Sequence, residues 1–115
     1  MDHYRWDEVN HEEMNPLFAR RVIHGERLTV AQVYLKKGCK VPLHSHDNEQ
    51  ISNVVEGALR FEVGGRELTV GAGELLRIPP NVPHSAEAVE DTVCLDIFNP
   101  TREDWLRGED QYLRR

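Results

Sequence analysis

A chain of 115 residues, 39% of them hydrophobic, supplies apolar side chains for one core and not for two. Twenty acidic against fourteen basic side chains give a formal charge of -6, which repels a phosphate backbone and excludes nucleic acid as an expected partner. Cys39 and Cys94 are too few and too far apart for a disulfide scaffold, the N-terminus lacks the cationic and apolar pattern of a signal peptide, and no apolar run approaches the roughly 20 residues of a membrane span. The expectation is a cytoplasmic protein with free thiols and no membrane partner.

In chain order, residues 1–15 are polar around an isolated Trp6 and Val9 and form an N-terminal arm, for which a loose segment, a short helical turn and an edge strand all remain open. From Phe18 to Phe98 short β-prone runs are broken about every ten residues by turn formers, among them Gly25, Gly38, Asp47-Asn48, Glu56-Gly57, Gly64-Gly65 and Pro79-Pro80. That spacing is the pattern of an all-β sandwich or barrel. Leu59, Phe61 and Val63 alternate with polar neighbours, Gly64-Gly65 reads as a tight hairpin turn, and Leu68 and Val70 then fall on the same core side as the preceding strand. After Pro100, Thr101 is placed to cap a short helix, with Glu103 and Asp104 in its first turn and Trp105 and Leu106 as apolar anchors. Residues 101–115 are thus a C-terminal tail or short helix packed on a single domain spanning 1–115.

The histidines carry the chemical signal. His44 and His46 lie two apart, and two residues so spaced in a strand project from one face, where both imidazoles can converge on one ion. Gln50 follows a turn signal and can swing opposite them, and His84 stands just after the rigid run IPPNVP at a strand start. Glu49 is the rival oxygen ligand, since a carboxylate is the better donor for a hard ion. Alternation favours Gln50, which shares a face with Ser52 and Val54, whereas Glu49 goes with Ile51 and Asn53. His3, His11 and His24 lie in polar surroundings and read as solvated surface residues, and Cys39 and Cys94 as buried small apolar ones.

The spacing around these residues is double. Five residues separate Gly38 from His44, His46 and Gln50 follow, and six residues separate Gln50 from Gly57; five residues separate Gly73 from Pro79, with Asn81 and His84 next. The arrangement resembles the two motifs of the cupin superfamily over roughly Val30 to Phe98. That resemblance implies a single small antiparallel β-barrel or jelly roll with a metal in its mouth, held by His44, His46, Gln50 and His84. Gln50 departs from the glutamate usual there, and Asn81 from a glycine. Asparagine tolerates a left-handed backbone, and a neutral amide leaves the ion its full charge, hence a stronger electrophile held less tightly. The ligand set suits one divalent transition metal, Mn, Fe, Ni, Zn or Cu, without ranking them.

In the last strand Cys94, Asp96 and Phe98 share one face and Val93, Leu95 and Ile97 the other. The run Asp96, Phe98, Pro100, Arg102 resembles the tail of the pectin-degradation cupins that linearise unsaturated uronates. By that resemblance Asp96 moves a proton, Arg102 holds the substrate carboxylate as a two-pronged donor, and Phe98 walls the pocket. Arg60, a second candidate cation, reads as a surface residue. The function so implied is a non-redox enzyme acting on a small anionic sugar acid; a metal-dependent dioxygenase and a non-catalytic binding barrel are the alternatives. If Asp96 faces inward, Val93, Leu95 and Ile97 make an apolar outer stripe, from which a homodimer is expected.

Overall fold

The computed structural model describes residues 1–115, and the alternation read from the sequence becomes ten strands. In chain order these are β1 (His11–Asn15), β2 (Phe18–His24), β3 (Thr29–Leu35), β4 (Lys40–His44), β5 (Glu49–Glu56), β6 (Ala58–Val63), β7 (Arg66–Gly71), β8 (Leu75–Ile78), β9 (His84–Ala88) and β10 (Thr92–Asn99). They form a six-stranded sheet, β1-β2-β3-β10-β5-β8, and a four-stranded sheet, β4-β9-β6-β7. Every pairing is antiparallel, as the jelly-roll expectation requires. No helix is long and apolar enough to cross a membrane.

The core lies between the sheets because each strand sends alternate residues inward. Val33, Val54, Leu59, Phe61, Ile78 and Phe98 meet there, and β3 alternates buried and half-buried along its whole length. Gly64 and Gly65, at φ 56° and 79°, make the turn between β6 and β7, since two successive positive φ values suit glycine and match the strand twist. Register then pairs Leu59 with Val70 and Phe61 with Leu68. Val70 is buried as expected, but Leu68 is exposed: β7 is the edge of its sheet and nothing covers its far end.

Both chain ends are ordered by side-chain bonds. The N-terminal arm holds a 3-10 turn at Trp6–Glu8 and then edge strand β1, so two of the three open readings hold together. Outward-pointing Arg21 pins the arm to the six-stranded sheet by donating to the carbonyls of Trp6 (2.9 Å) and Val9 (2.7 Å). The C-terminal helix α1 (Glu103–Leu106) starts one residue later than expected. Thr101 does not cap it, because its hydroxyl is spent on the Glu103 carboxylate at 3.1 Å. Leu106 is exposed and anchors nothing; Trp105 does, its ring lying 4.4 Å from both the Arg20 and Arg102 guanidinium carbons. The rest of the tail is held by buried Asp110, which accepts from buried Arg20 on β2, and by a final 3-10 turn carrying Tyr112 and Leu113. This wraps the tail across the barrel mouth.

Candidate metal centre

Three imidazoles converge at that mouth. One ring nitrogen from each of His44, His46 and His84 lies within 4.8 Å of the other two. Strand alternation accounts for only part of this. β4 ends at His44, so His46 sits in the following loop and not in the strand. Within β4 an irregularity between Val41 and His44 brings His44 directly opposite His84 of β9. The loop carrying His46 is held from the other motif: the Asn81 N–H donates to the His46 carbonyl at 2.8 Å, and Asn81 has the left-handed φ of 64° anticipated for it. Asn48, buried, closes the loop by donating to the carbonyls of Pro100 and Thr101.

Each ring is oriented in the same way. Nδ1 lies 2.7 Å from the Pro42 carbonyl in His44, 3.1 Å from the Asn48 carbonyl in His46 and 2.8 Å from the Val82 carbonyl in His84. A carbonyl only accepts, so each Nδ1 carries the proton and each Nε2 presents a lone pair. His84 Nε2 is buried without any partner. Burial, reinforced by the charges of neighbouring His84, His46 and Arg102, brings His44 down to about 4, and burial with Arg102 and His84 brings His46 to about 4; burial lowers His84 also. Neutral rings with three inward lone pairs, one of them orphaned, are the state a divalent cation needs, and the cluster fits one.

Those shifts have a consequence for the metal-stripped protein. The unfolded chain takes up histidine protons from about pH 6.5 downward, the fold only near 4, so the unfolded state binds more protons between these values. Stability should be level above pH 6.5 and fall as pH drops towards 4. Melting temperature is expected to decrease by roughly 5 °C or more across that window, beyond the drop in a His44→Gln variant. Parallel melting profiles for the two proteins would contradict this origin.

Gln50 and Glu49 separate as alternation expected. Glu49 points outward, where its Oε2 accepts from Arg77 Nε at 2.6 Å, while Gln50 is buried with its Oε1 3.1 Å from His46 Nε2. On β10, register sets Asp96 opposite Ser52 and Phe98 opposite Gln50, so Asp96 and Phe98 face inward with the histidines. His44, Gln50, His84, Asp96, Phe98 and Arg102 line one cavity of about 60 Å³, whose remaining walls are largely apolar. His46 opens instead onto a polar cleft shared with Asp47, Asn48, Glu103 and Asp104.

Asp96 Oδ1 accepts from Ser52 Oγ at 2.6 Å and from Cys94 Sγ at 3.4 Å, leaving Oδ2 without a hydrogen bond. Burial raises its carboxyl above the usual range, and those two bonds and Arg102 offset the rise in part. Arg102 is buried, its guanidinium carbon 4.7 Å from the Phe98 ring. Its Nε and one Nη already bind Asp104 at 3.0 and 2.8 Å, and the same Nη donates to Tyr112 Oη at 2.7 Å. Only Nη1 is without a protein partner. Arg60 lies outside the cavity, paired with Glu87 at 2.9 Å, and the two cysteines are buried and free. His3 and His11 are exposed, but His24 is half-buried, with Nδ1 2.8 Å from Thr29 Oγ1. Tyr112 and Leu113 also line the cavity, Tyr112 with its ring 4.6 Å from that of His44. Nothing in the spacing of the tail marks them beyond two apolar residues in a charged stretch.

The family model for the cupin domain matches residues 31–98, which carry both histidine motifs and Asp96. This chain belongs to the cupin family. Among solved structures, this cupin superposes on KdgF from Halomonas sp. with a TM-score of 0.85 and 27% identity, covering 91% of this chain and 98% of that one. An RmlC-like cupin from Shewanella frigidimarina gives 0.84 and 27%, covering 91% and 96%. Acireductone dioxygenase 1 of Pectobacterium atrosepticum is 34% identical over 90 residues, 72% of this cupin and 47% of the relative. Nitrosourea synthase of Streptomyces achromogenes subsp. streptozoticus is 34% identical over 71 residues, 61% of this cupin and 15% of the synthase. The cupin thus spans less than half the length of either curated relative.

Proposed function

We propose that this cupin is a metal-dependent, non-redox enzyme that linearises a small 4,5-unsaturated uronate. The observation that carries the reading is the inward placement of Asp96, with Arg102 and Phe98, on the walls of the cavity that His44, His84 and Gln50 also line. The likeness to KdgF of Halomonas sp. over nearly the whole of both chains supports it, as does the resemblance of the Asp96 to Arg102 run to the pectin-degradation cupins. His44, His46, Gln50 and His84 would hold the ion. A divalent ion there supplies Lewis-acid polarisation of sugar oxygens.

The chain's own residues do the rest. Linearisation breaks the bond between C1 and the ring oxygen, and the proton that leaves the anomeric hydroxyl is balanced by one that arrives at C4, so no electrons are gained or lost. Asp96 Oδ2 takes the first proton and returns one at C4, a task suited to a carboxyl whose burial raises its proton affinity. Arg102 attracts the substrate carboxylate through Nη1, because Asp104 already holds the forked edge of the guanidinium. Phe98 braces that guanidinium and closes the wall.

Loss of the ultraviolet absorbance of an unsaturated uronate on adding metal-loaded protein, without oxygen consumption, is the expected result. Oxygen uptake in a substrate screen would instead support a dioxygenase, as the Pectobacterium relative is named. Turnover of neither would leave a binding barrel.

The assembly we infer is a homodimer through the outer face of the six-stranded sheet. Register aligns Ile23, Val30, Ile97 and Ile51 in one row across β2, β3, β10 and β5, with Leu95 and Val93 beside it. Light scattering at micromolar concentration should give twice the chain mass, and a Leu95→Lys variant half of that. A monomer in the unsubstituted protein would rule the interface out.

A further inference from the structure

We propose that Ser52, acting with Asp96, determines which end of the Gln50 amide faces the histidines, and so is a positioning residue of the metal centre. The inference rests on the reading of Gln50 as fourth ligand.

An amide has an oxygen end and an NH₂ end of nearly the same shape, and only the oxygen can ligate a cation. Locally, the wrong end is favoured. His46 Nδ1–H is committed to the Asn48 carbonyl, so His46 Nε2 offers a lone pair that an NH₂ group would bind well. Instead Gln50 Oε1 stands 3.1 Å from that nitrogen, two acceptors face to face with no proton between them. Something at the other end of the amide must hold it there.

That something is Ser52. Gln50 Nε2 donates to Ser52 Oγ at 2.9 Å, and Ser52 Oγ donates to Asp96 Oδ1 at 2.6 Å. A serine hydroxyl has a single proton, and with that proton given to Asp96 it shows Gln50 only lone pairs. Asp96 Oδ1 also takes the Cys94 thiol, which fixes it as the acceptor at the end of the chain. Turning the amide over would set Gln50 Oε1 against the lone pairs of a fully buried hydroxyl, with no water to relieve them. The backbone enforces the arrangement: Gln50 and Ser52 are two apart on the inner face of β5, and Ser52 lies directly across from Asp96 on β10. A carboxylate at position 50 would have two equivalent oxygens and no orientation to set, so the serine matters because residue 50 is an amide.

The test is a cycle of Co²⁺ titrations on metal-stripped protein, read by the visible absorption of the bound ion. Ser52→Ala should weaken Co²⁺ binding roughly 10- to 100-fold when residue 50 is glutamine, the usual loss for removing an outer-shell partner, and less than about 3-fold in a Gln50→Glu background. No loss with glutamine present, or equal loss in both backgrounds, overturns the proposal. In the unsubstituted metal-free protein, nuclear Overhauser contacts should run from the Gln50 NH₂ protons to the Ser52 Hβ protons and not to the His46 ring. The reverse pattern overturns it without any variant having to fold. Gln50→Ala separates the two levels: unchanged Co²⁺ affinity removes Gln50 as a ligand, whereas a loss there with none in Ser52→Ala removes only the positioning role.

Discussion

Replacing His84 by alanine is expected to reduce metal affinity by at least about 100-fold, so that on elemental analysis the parent protein should carry about one ion per chain and the variant almost none. The size follows from the geometry. His84 is buried, its Nδ1 proton is held by the Val82 carbonyl at 2.8 Å, and its Nε2 has no other partner, so no side chain can take over its lone pair. The fold should survive, because the substitution also removes a buried polar atom whose unsatisfied state costs about 1–3 kcal/mol. Metal linkage gives a second readout. At a hundred times Kd, an ion adds about 2.7 kcal/mol to the stability of the native state, which raises the melting temperature of a domain this size by roughly 11 °C. His84→Ala should show no such rise. Stoichiometric metal in the variant would mean that the ion sits elsewhere.

Asp96→Asn is expected to lower kcat for the proposed uronate linearisation by roughly 10²- to 10⁴-fold, the ordinary contribution of a positioned acid-base group, while metal content stays near that of the parent protein. Those factors correspond to about 2.7–5.4 kcal/mol of barrier. The separation between chemistry and metal is the informative part. An asparagine oxygen can still accept from Ser52 Oγ where Asp96 Oδ1 does at 2.6 Å, so the bonds behind Gln50 persist, but the group can no longer carry a proton. Stability should hold or rise slightly, since burial already disfavours the charged carboxylate. A variant with intact kcat would assign the proton transfer to another group.

Much of this could be read before any coordinates, and the reasons are specific. A strand turns alternate side chains to opposite faces whatever its tertiary partners, so the separation of Gln50 from Glu49, and of Asp96 from Leu95, followed from counting. Gly64-Gly65 was legible because two positive φ angles are a local demand. Counting failed where a long-range contact decides. His46 reaches its neighbours from a loop pinned by Asn81, not from the strand that ends at His44. Leu68 keeps the expected face yet is exposed, since alternation says where a side chain points and not whether anything covers it.

The three-histidine cluster itself divides in the same way. The sequence alone determined the residue types, their grouping in two spaced motifs and the face each strand residue takes, because these depend on chain geometry over a few residues. Only the tertiary structure decided that all three Nδ1 atoms are spent on carbonyls, that Ser52 and Asp96 stand behind the Gln50 amide, and that Tyr112 returns from the tail to lie against His44. The Nδ1 bonds and the Gln50–Ser52 bond span only two residues, but the backbone conformations that close them depend on strand register and loop packing, and the Ser52–Asp96 and Tyr112–His44 contacts join residues that only the folded sheets bring together.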